Sequence, residues 1–278
     1  MRTKSITWTK ITNYFLVLLF SAYSLLPIIW VLITSLKSNQ DFIRYGSLAL
    51  PKVFYFENYL KAWEMARFST YFVNSILIAL ATVACIVLFS SLISYSLCYI
   101  HFKGKKFINY LIIFGLLIPF ELVMIPLFHN TKAMNLMNTH FAVILPQIAL
   151  WLPFSVFLTK SFMKSIPMSL VESAQIDGAK EYRTLFQIII PLIKPAINSI
   201  IIFNLISSWN NFMLPTIMIT NDRLRTVPLG LNAFKTRYSV DVALTSAAAV
   251  IIAMPIILVY LMFQRKLITG LIVGAVKQ

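Results

Sequence analysis

The chain has 278 residues, of which 59% are hydrophobic and only 12% charged, with a formal net charge of +15. Ordinary soluble domains carry about a quarter charged residues, so a water-soluble fold lacks the polar surface to cover this much apolar side chain. The basic excess does not imply nucleic acid, because Lys and Arg are divided among short segments rather than gathered on one face with aromatics.

Six apolar runs, at about 14–34, 71–99, 107–128, 141–162, 196–219 and 242–263, each have the length to cross a hydrocarbon core. That core is about 30 Å thick and takes about 20 helical residues. Unpaired backbone groups are too costly in lipid for such runs to be anything but helical, and the alternation of a β-barrel is absent. The expectation is an all-α integral membrane protein with six transmembrane helices.

The N-terminus carries Arg2, Lys4 and Lys10 ahead of the first run, which superficially resembles a signal peptide. The run is too long for a signal h-region and no small-residue cleavage site follows, so an uncleaved first helix is expected. The next segment, about 37–70, mixes charges with Phe54, Tyr55, Phe56, Tyr59 and Trp63. Its aromatics suit interfacial anchoring, and an external partner is the alternative. Cys85 and Cys98 both fall in the second run without a Cys-x-x-Cys pair, so neither a disulfide framework nor a metal site is indicated.

Glu121 is the one acid well inside a run, flanked by Pro119 and Pro126, which predict a broken or kinked helix there. An acid at membrane depth costs about 2.5 to 3.5 kcal/mol on insertion scales and is usually kept for a purpose. Glu121 either faces a solute path or sits near the outer surface or against a neighbouring subunit.

Between the fourth and fifth runs, residues 164–195 read as two short helices around a turn. Ser165 is a candidate cap for a helix that takes Pro167 in its first turn and runs through Leu170, Val171 and Ala174 to Ile176. Asp177-Gly178 is a stop and turn signal. A second helix from about Ala179 carries Leu185, Phe186 and Ile189 before Pro191 and Pro195 redirect the chain. In the fifth run, Asn204, Ser207, Ser208 and Asn211 recur at helical spacing, with Trp209 and Asn210 close by. Amides, hydroxyls and an indole suit a sugar, whereas interhelical hydrogen bonding is the common use of Ser and Asn in membrane bundles.

With the N-terminus in the cytoplasm, fourteen Lys and Arg fall inside and ten outside, so both termini are expected there. No G-x-x-x-x-G-K-[ST] loop occurs. His101, His129 and His140 are scattered without an H-E-x-x-H pair or a Ser/His/Asp grouping. No catalytic residue, bound metal or cofactor of this chain is expected.

The segment Glu172-Ser173-Ala174-Gln175-Ile176-Asp177-Gly178-Ala179, followed by Phe186 and Pro191-Leu192-Ile193-Lys194-Pro195, closely resembles the EAA loop of binding-protein-dependent ABC importer permeases. Ser173 departs from the alanine usual there. Glu121 to Phe128, Leu136-Met137-Asn138-Thr139, Ser208-Trp209-Asn210-Asn211-Phe212 and the tail from Gly270 to Lys277 look like the carbohydrate branch, the maltose-type second permease. The resemblance is strong from about residue 70 onward and general before it.

It implies the MetI-like ABC importer permease fold, with a single transmembrane permease domain over 1–278. The core would be about 70–265, the cytoplasmic coupling loop about 164–195 and the C-terminal cytoplasmic tail about 264–278. It implies a bacterial cytoplasmic membrane, a second homologous permease, an ATPase dimer that binds ATP and Mg, an extracytoplasmic solute-binding protein, surrounding membrane lipid and a sugar as substrate. Glu172, Ala174, Asp177, Gly178 and Ala179 would couple to the ATPase. Asn204, Ser208, Trp209, Asn211 and Glu121 would belong to the substrate pathway. An ion-coupled secondary transporter and a membrane enzyme acting on lipid-linked sugars are the alternatives, and the elbow and the scarcity of buried charge disfavour both.

Overall fold

A computed structural model describes residues 3–46, 49–235 and 240–275. In chain order its helices are α1 (Thr3–Ser35), α2 (Asn39–Tyr45), α3 (Glu57–Met65), α4 (Phe68–Tyr99), α5 (Lys105–Leu117), α6 (Phe120–Ala133) and α7 (Phe141–Met163). They continue with α8 (Met168–Ile176), α9 (Glu181–Leu192), α10 (Lys194–Trp209), α11 (Met213–Met218) and α12 (Val242–Ala275). Two compact units result, one from residues 1–68 with 230–254 and one from 69–229 with 255–278.

In the first unit α1 is apolar all round and exposed along residues 10–29, the pattern of a helix whose solvent is lipid or another membrane protein. Its end is held by a polar knot. Asn58 Nδ2 donates to the carbonyls of Ser35 and Lys37 at 2.9 and 2.8 Å, and Tyr59 shares a 2.7 Å hydrogen bond with Ser35 Oγ. The first satisfies a C-terminal carbonyl that the helix leaves unpaired, and the second ties down the chain that leaves it. Tyr59 thus anchors structure, while Phe54 and Phe56 stay exposed with their rings 6.2 Å apart. Ser38 caps α2, accepting from the Asp41 N–H at 3.0 Å.

In the second unit the expected third run is not one helix. Ile118 is extended at ψ 112° ahead of Pro119, which has no N–H to continue the ladder, and α6 leaves α5 at 104°. At 13 residues, α5 is only about 20 Å long and cannot cross alone. The fifth run, expected over 196–219, likewise ends at Trp209, with α11 starting afresh at Met213. Among the described residues the chain has four unbroken helices of membrane-spanning length and apolarity, and up to six spans if each of two bent pairs, α5 with α6 and α9 with α10, is one. Gly115 lets α5 close on α7, because a Cβ there would lie 2.9 Å from Pro153 Cγ.

The interior of this unit is layered. One apolar cluster joins Ile78 of α4, Ala142, Val143 and Ile144 of α7, and Leu214 and Met218 of α11. At the other end of the same helices a second joins Tyr95 and Tyr99 of α4, Phe162 and Met163 of α7, Val171, Leu185, Ile189 and Ala196. Between the two lies a buried polar seam that includes Thr82, Ser94, Gln147, Ser155, Asn204 and Ser208.

Candidate functional site

The elbow of residues 164–195 is built on that second cluster. Ser165 does not cap α8, because its Oγ donates backward to the Phe162 carbonyl at 2.7 Å, and Pro167 occupies the cap position without a side-chain bond. The helix nevertheless runs as expected to Ile176, burying Val171 and Ala174 beneath it.

Its end is a Schellman turn. The Ala179 N–H reaches the Ala174 carbonyl at 2.9 Å, and the Gly178 N–H reaches that of Gln175 at 3.0 Å, with Gly178 at φ +79°. The position is left-handed, so glycine takes it without the Cβ penalty. Glu172, Ile176 and Asp177 project outward, and Ile176 is 86% exposed. Among the described residues neither acid has an ion-pair partner.

The second half begins at Glu181 rather than Ala179 and passes through a π-helical stretch, Thr184–Ile189, before bending 81° at Ile193 into α10. Of the apolar residues this helix carries, Leu185 and Ile189 are buried and Phe186 is exposed. Glu181 ties the elbow together. Its carboxylate accepts from Tyr95 Oη at 2.5 Å and from Gln175 Nε2 at 3.2 Å, so α4, α8 and α9 meet on one side chain. Tyr99 Oη donates to the Met163 carbonyl at 2.6 Å, closing the end of α7. Sequence reasoning missed Tyr95, Tyr99 and Glu181. Two tyrosines a helical turn apart at the end of an apolar run were the available signal.

The expected pathway residues separate into two groups. Asn204 is fully buried, donating to Ser155 Oγ at 3.1 Å and to the Ile200 carbonyl. Ser208 and Thr82 both donate to Gln147 Oε1, at 2.7 and 3.2 Å, which links α4, α7 and α10. Trp209 is buried with its ring edge-on to Phe72 at 5.4 Å. These three occupy the interior seam and its margin.

Asn211 is not on their helical face, because α10 has ended. It lies in the break, and its Oδ1 accepts from the Leu214 N–H at 3.1 Å, starting α11. There it lines a cleft of about 520 Å³ with Trp151, Phe120, Phe212 and Ile118, located where the α5–α6 break and the α10–α11 break both contribute residues. Glu121, next to Phe120 in the first turn of α6, is exposed.

On the far side, Asn138 at φ +58° accepts from the Thr220 and Asn221 N–H groups at 2.7 and 2.9 Å. Asn74 Nδ2 donates to the carbonyls of Arg223 and Arg225, both at 2.9 Å, which turns its Oδ1 toward His140 Nε2 at 3.0 Å. That nitrogen therefore carries the proton, and burial pushes the imidazole pKa down.

Residues 86–272 match the family of binding-protein-dependent transport system inner membrane components. Over 268 residues the chain is 33% identical to the diacetylchitobiose uptake system permease protein of Streptomyces coelicolor, covering 96% of this chain and 87% of that one. Over 270 residues it is 34% identical to the arabinooligosaccharides transport system permease protein of Bacillus subtilis, covering 96% and 95%. The melibiose/raffinose/stachyose import permease protein of the same organism is 31% identical over 253 residues, covering 91% of each. A bacterial ABC transporter involved in the import of the acidic polysaccharide alginate shares the fold, with a TM-score of 0.82 at 23% identity over 95% of this chain and 98% of that one. The chain accordingly belongs to the binding-protein-dependent transport system inner membrane components, as a multi-pass ABC importer permease.

Proposed function

We propose that this permease moves a sugar or oligosaccharide across a bacterial cytoplasmic membrane, with both termini inside. It would pair with a second homologous permease and receive its solute from an extracytoplasmic binding protein. ATP and Mg would be held by a separate ATPase dimer docked on the elbow. The sugar reading is supported by three relatives whose names all specify carbohydrate transport.

The carrying observation for coupling is that the elbow presents Glu172, Ile176 and Asp177 outward while its underside shares one core with the ends of α4, α7 and α10. A push on α8 is transmitted through Val171, Leu185 and Ile189 into helices close-packed against them, and close-packed interiors transmit strain. Gly178 fixes the turn, Ala174 sits beneath it, and Ala179 closes it. The exposed apolar length of α1 fits contact with lipid or with the second permease.

For the solute we propose the cleft at the helix breaks, where Asn211 offers an amide and Trp151 an indole, with Glu121 at its edge. Asn204, Ser208 and Trp209 would shape its wall from behind. Irregular backbone at membrane depth is tolerated where it lines a cavity, which suits the position of the breaks.

The test is reconstitution of the permease pair with the ATPase and binding protein of its genomic neighbourhood in proteoliposomes. ATP-dependent sugar uptake, lost on replacing the elbow acids by lysine while the permease pair stays intact, is the expected result. Uptake driven by an ion gradient without the ATPase would overturn the reading.

A further inference from the structure

We propose that the groove between the ends of α5 and α7 is a binding site for the headgroup phosphate of an anionic phospholipid. The groove, about 200 Å³, has two chemical ends. At the end nearest the elbow it is lined by Lys160, Lys164, Asn109 and Ser161, and deeper along the helices by apolar side chains including Ile113 and Phe157. Ile113 and Phe157 are 41% and 53% exposed, so the apolar end opens toward the bilayer. A phospholipid has the same order of parts, phosphate at the interface and acyl chain below it.

The charge is unbalanced. Lys160 hydrogen-bonds Asn109 Oδ1, an uncharged partner, and Lys164 and Lys105 lie close enough to act on its charge. Lys105 is occupied at the end of α4, donating to the Ile100 carbonyl at 3.0 Å. Lys164 is exposed, and its ammonium has no hydrogen bond or ion pair to any described residue. The sequence has no Asp or Glu between Glu64 and Glu121, nor between Glu121 and Glu172, so neither groove helix carries an acid.

Ammonium groups held together without a counter-charge at an interface recruit an anion, and basic pockets between membrane helices on the cytoplasmic side bind acidic headgroups. The inference rests on the membrane orientation proposed above only for the leaflet. Occupancy itself is independent of it, and impermeant labelling of a cysteine at Lys180 tests the orientation separately.

The experiment uses the assembled transporter in nanodiscs of equimolar phosphatidylcholine and phosphatidylglycerol, followed by detergent extraction and native mass spectrometry. Wild type should retain phosphatidylglycerol over phosphatidylcholine. The Lys160→Gln/Lys164→Gln pair should weaken that retention about thirtyfold, and Lys164→Gln alone, which leaves the Asn109 contact in place, about fivefold. Removing the same charge from the elbow with Lys180→Gln/Arg183→Gln should change it less than about twofold. A photocrosslinker in place of Phe157 should capture acyl chain in wild type and less in Lys164→Gln. Equal retention of the two lipids, or an elbow effect as large as the groove effect, would overturn the site. Full displacement by glycerol phosphate would assign it to a soluble anion and overturn the lipid.

Discussion

Replacing Gly178 separates the strain of the turn from the fit of the docking surface. A Cβ built at this position meets nothing within 4 Å, so within the permease the penalty is conformational and not steric. An L-residue held left-handed costs about 1–2 kcal/mol, which places alanine near the lower end and the β-branched valine near the upper. Asparagine, which visits this region routinely, serves as the control. The equilibrium between closed and opened turn should then shift about fivefold for Gly178→Ala and about thirtyfold for Gly178→Val. Hydrogen exchange at the amides of residues 178 and 179, whose bonds close the turn, reads that shift directly. ATP hydrolysis stimulated by the loaded binding protein reads its consequence, at matched permease levels. A loss of stimulation that exceeds the exchange change locates the excess at the ATPase surface. Equal behaviour of the valine and asparagine variants in both assays would refute the role of the left-handed turn.

Tyr95→Phe removes the 2.5 Å bond to Glu181 and should loosen the elbow by about 1.5–3 kcal/mol, the range for a hydrogen bond to a charged group, seen as faster proteolysis within 168–192 at normal expression. Ser208→Ala should lower unfolding stability by about 0.6 kcal/mol, the mean for an interhelical bond in a membrane bundle, and change the KM for uptake far less than Trp151→Ala does. Trp151→Ala should raise KM with little loss of stability, and the opposite pattern would return the pathway to the seam. For His140 the folded pKa is depressed, so the unfolded chain takes up the proton first and stability falls as pH drops below about 6.5. His140→Gln should flatten that acid limb in a thermal-shift series, and an unchanged limb would place the titration elsewhere.

The existence of the spans was legible because an apolar run has no alternative to a helix in lipid, and the elbow because Asp177-Gly178 is a local signal whose geometry needs no distant partner. The breaks were less so. Pro119 announced one, but nothing in Trp209-Asn210-Asn211-Phe212 forces a helix to stop there. Helical periodicity therefore carried Asn211 onto a face that the backbone never forms. Asn204 and Ser208 were recognised as part of one polar face, yet their partners Ser155 and Gln147 lie 49 and 61 residues away, and no local pattern chooses between a ligand and another helix. Glu181 was passed over for the same reason, since its bond to Tyr95 spans 86 residues.

The π-helical stretch Thr184–Ile189 holds one residue more than an α-helix needs over the same path, because its bonds reach one residue further along the chain. Removing one residue from it would let the ladder relax to α-helix without moving either flank. Adding one in the α-helical parts of α9 would instead shift the register of the side chains that follow, and with it the approach of Asn204 and Ser208 to Ser155 and Gln147. The elbow thus contains, inside a helix, a place where chain length and register are decoupled. A one-residue deletion between residues 184 and 189 should therefore leave uptake closer to wild type than a one-residue insertion elsewhere in α9 does.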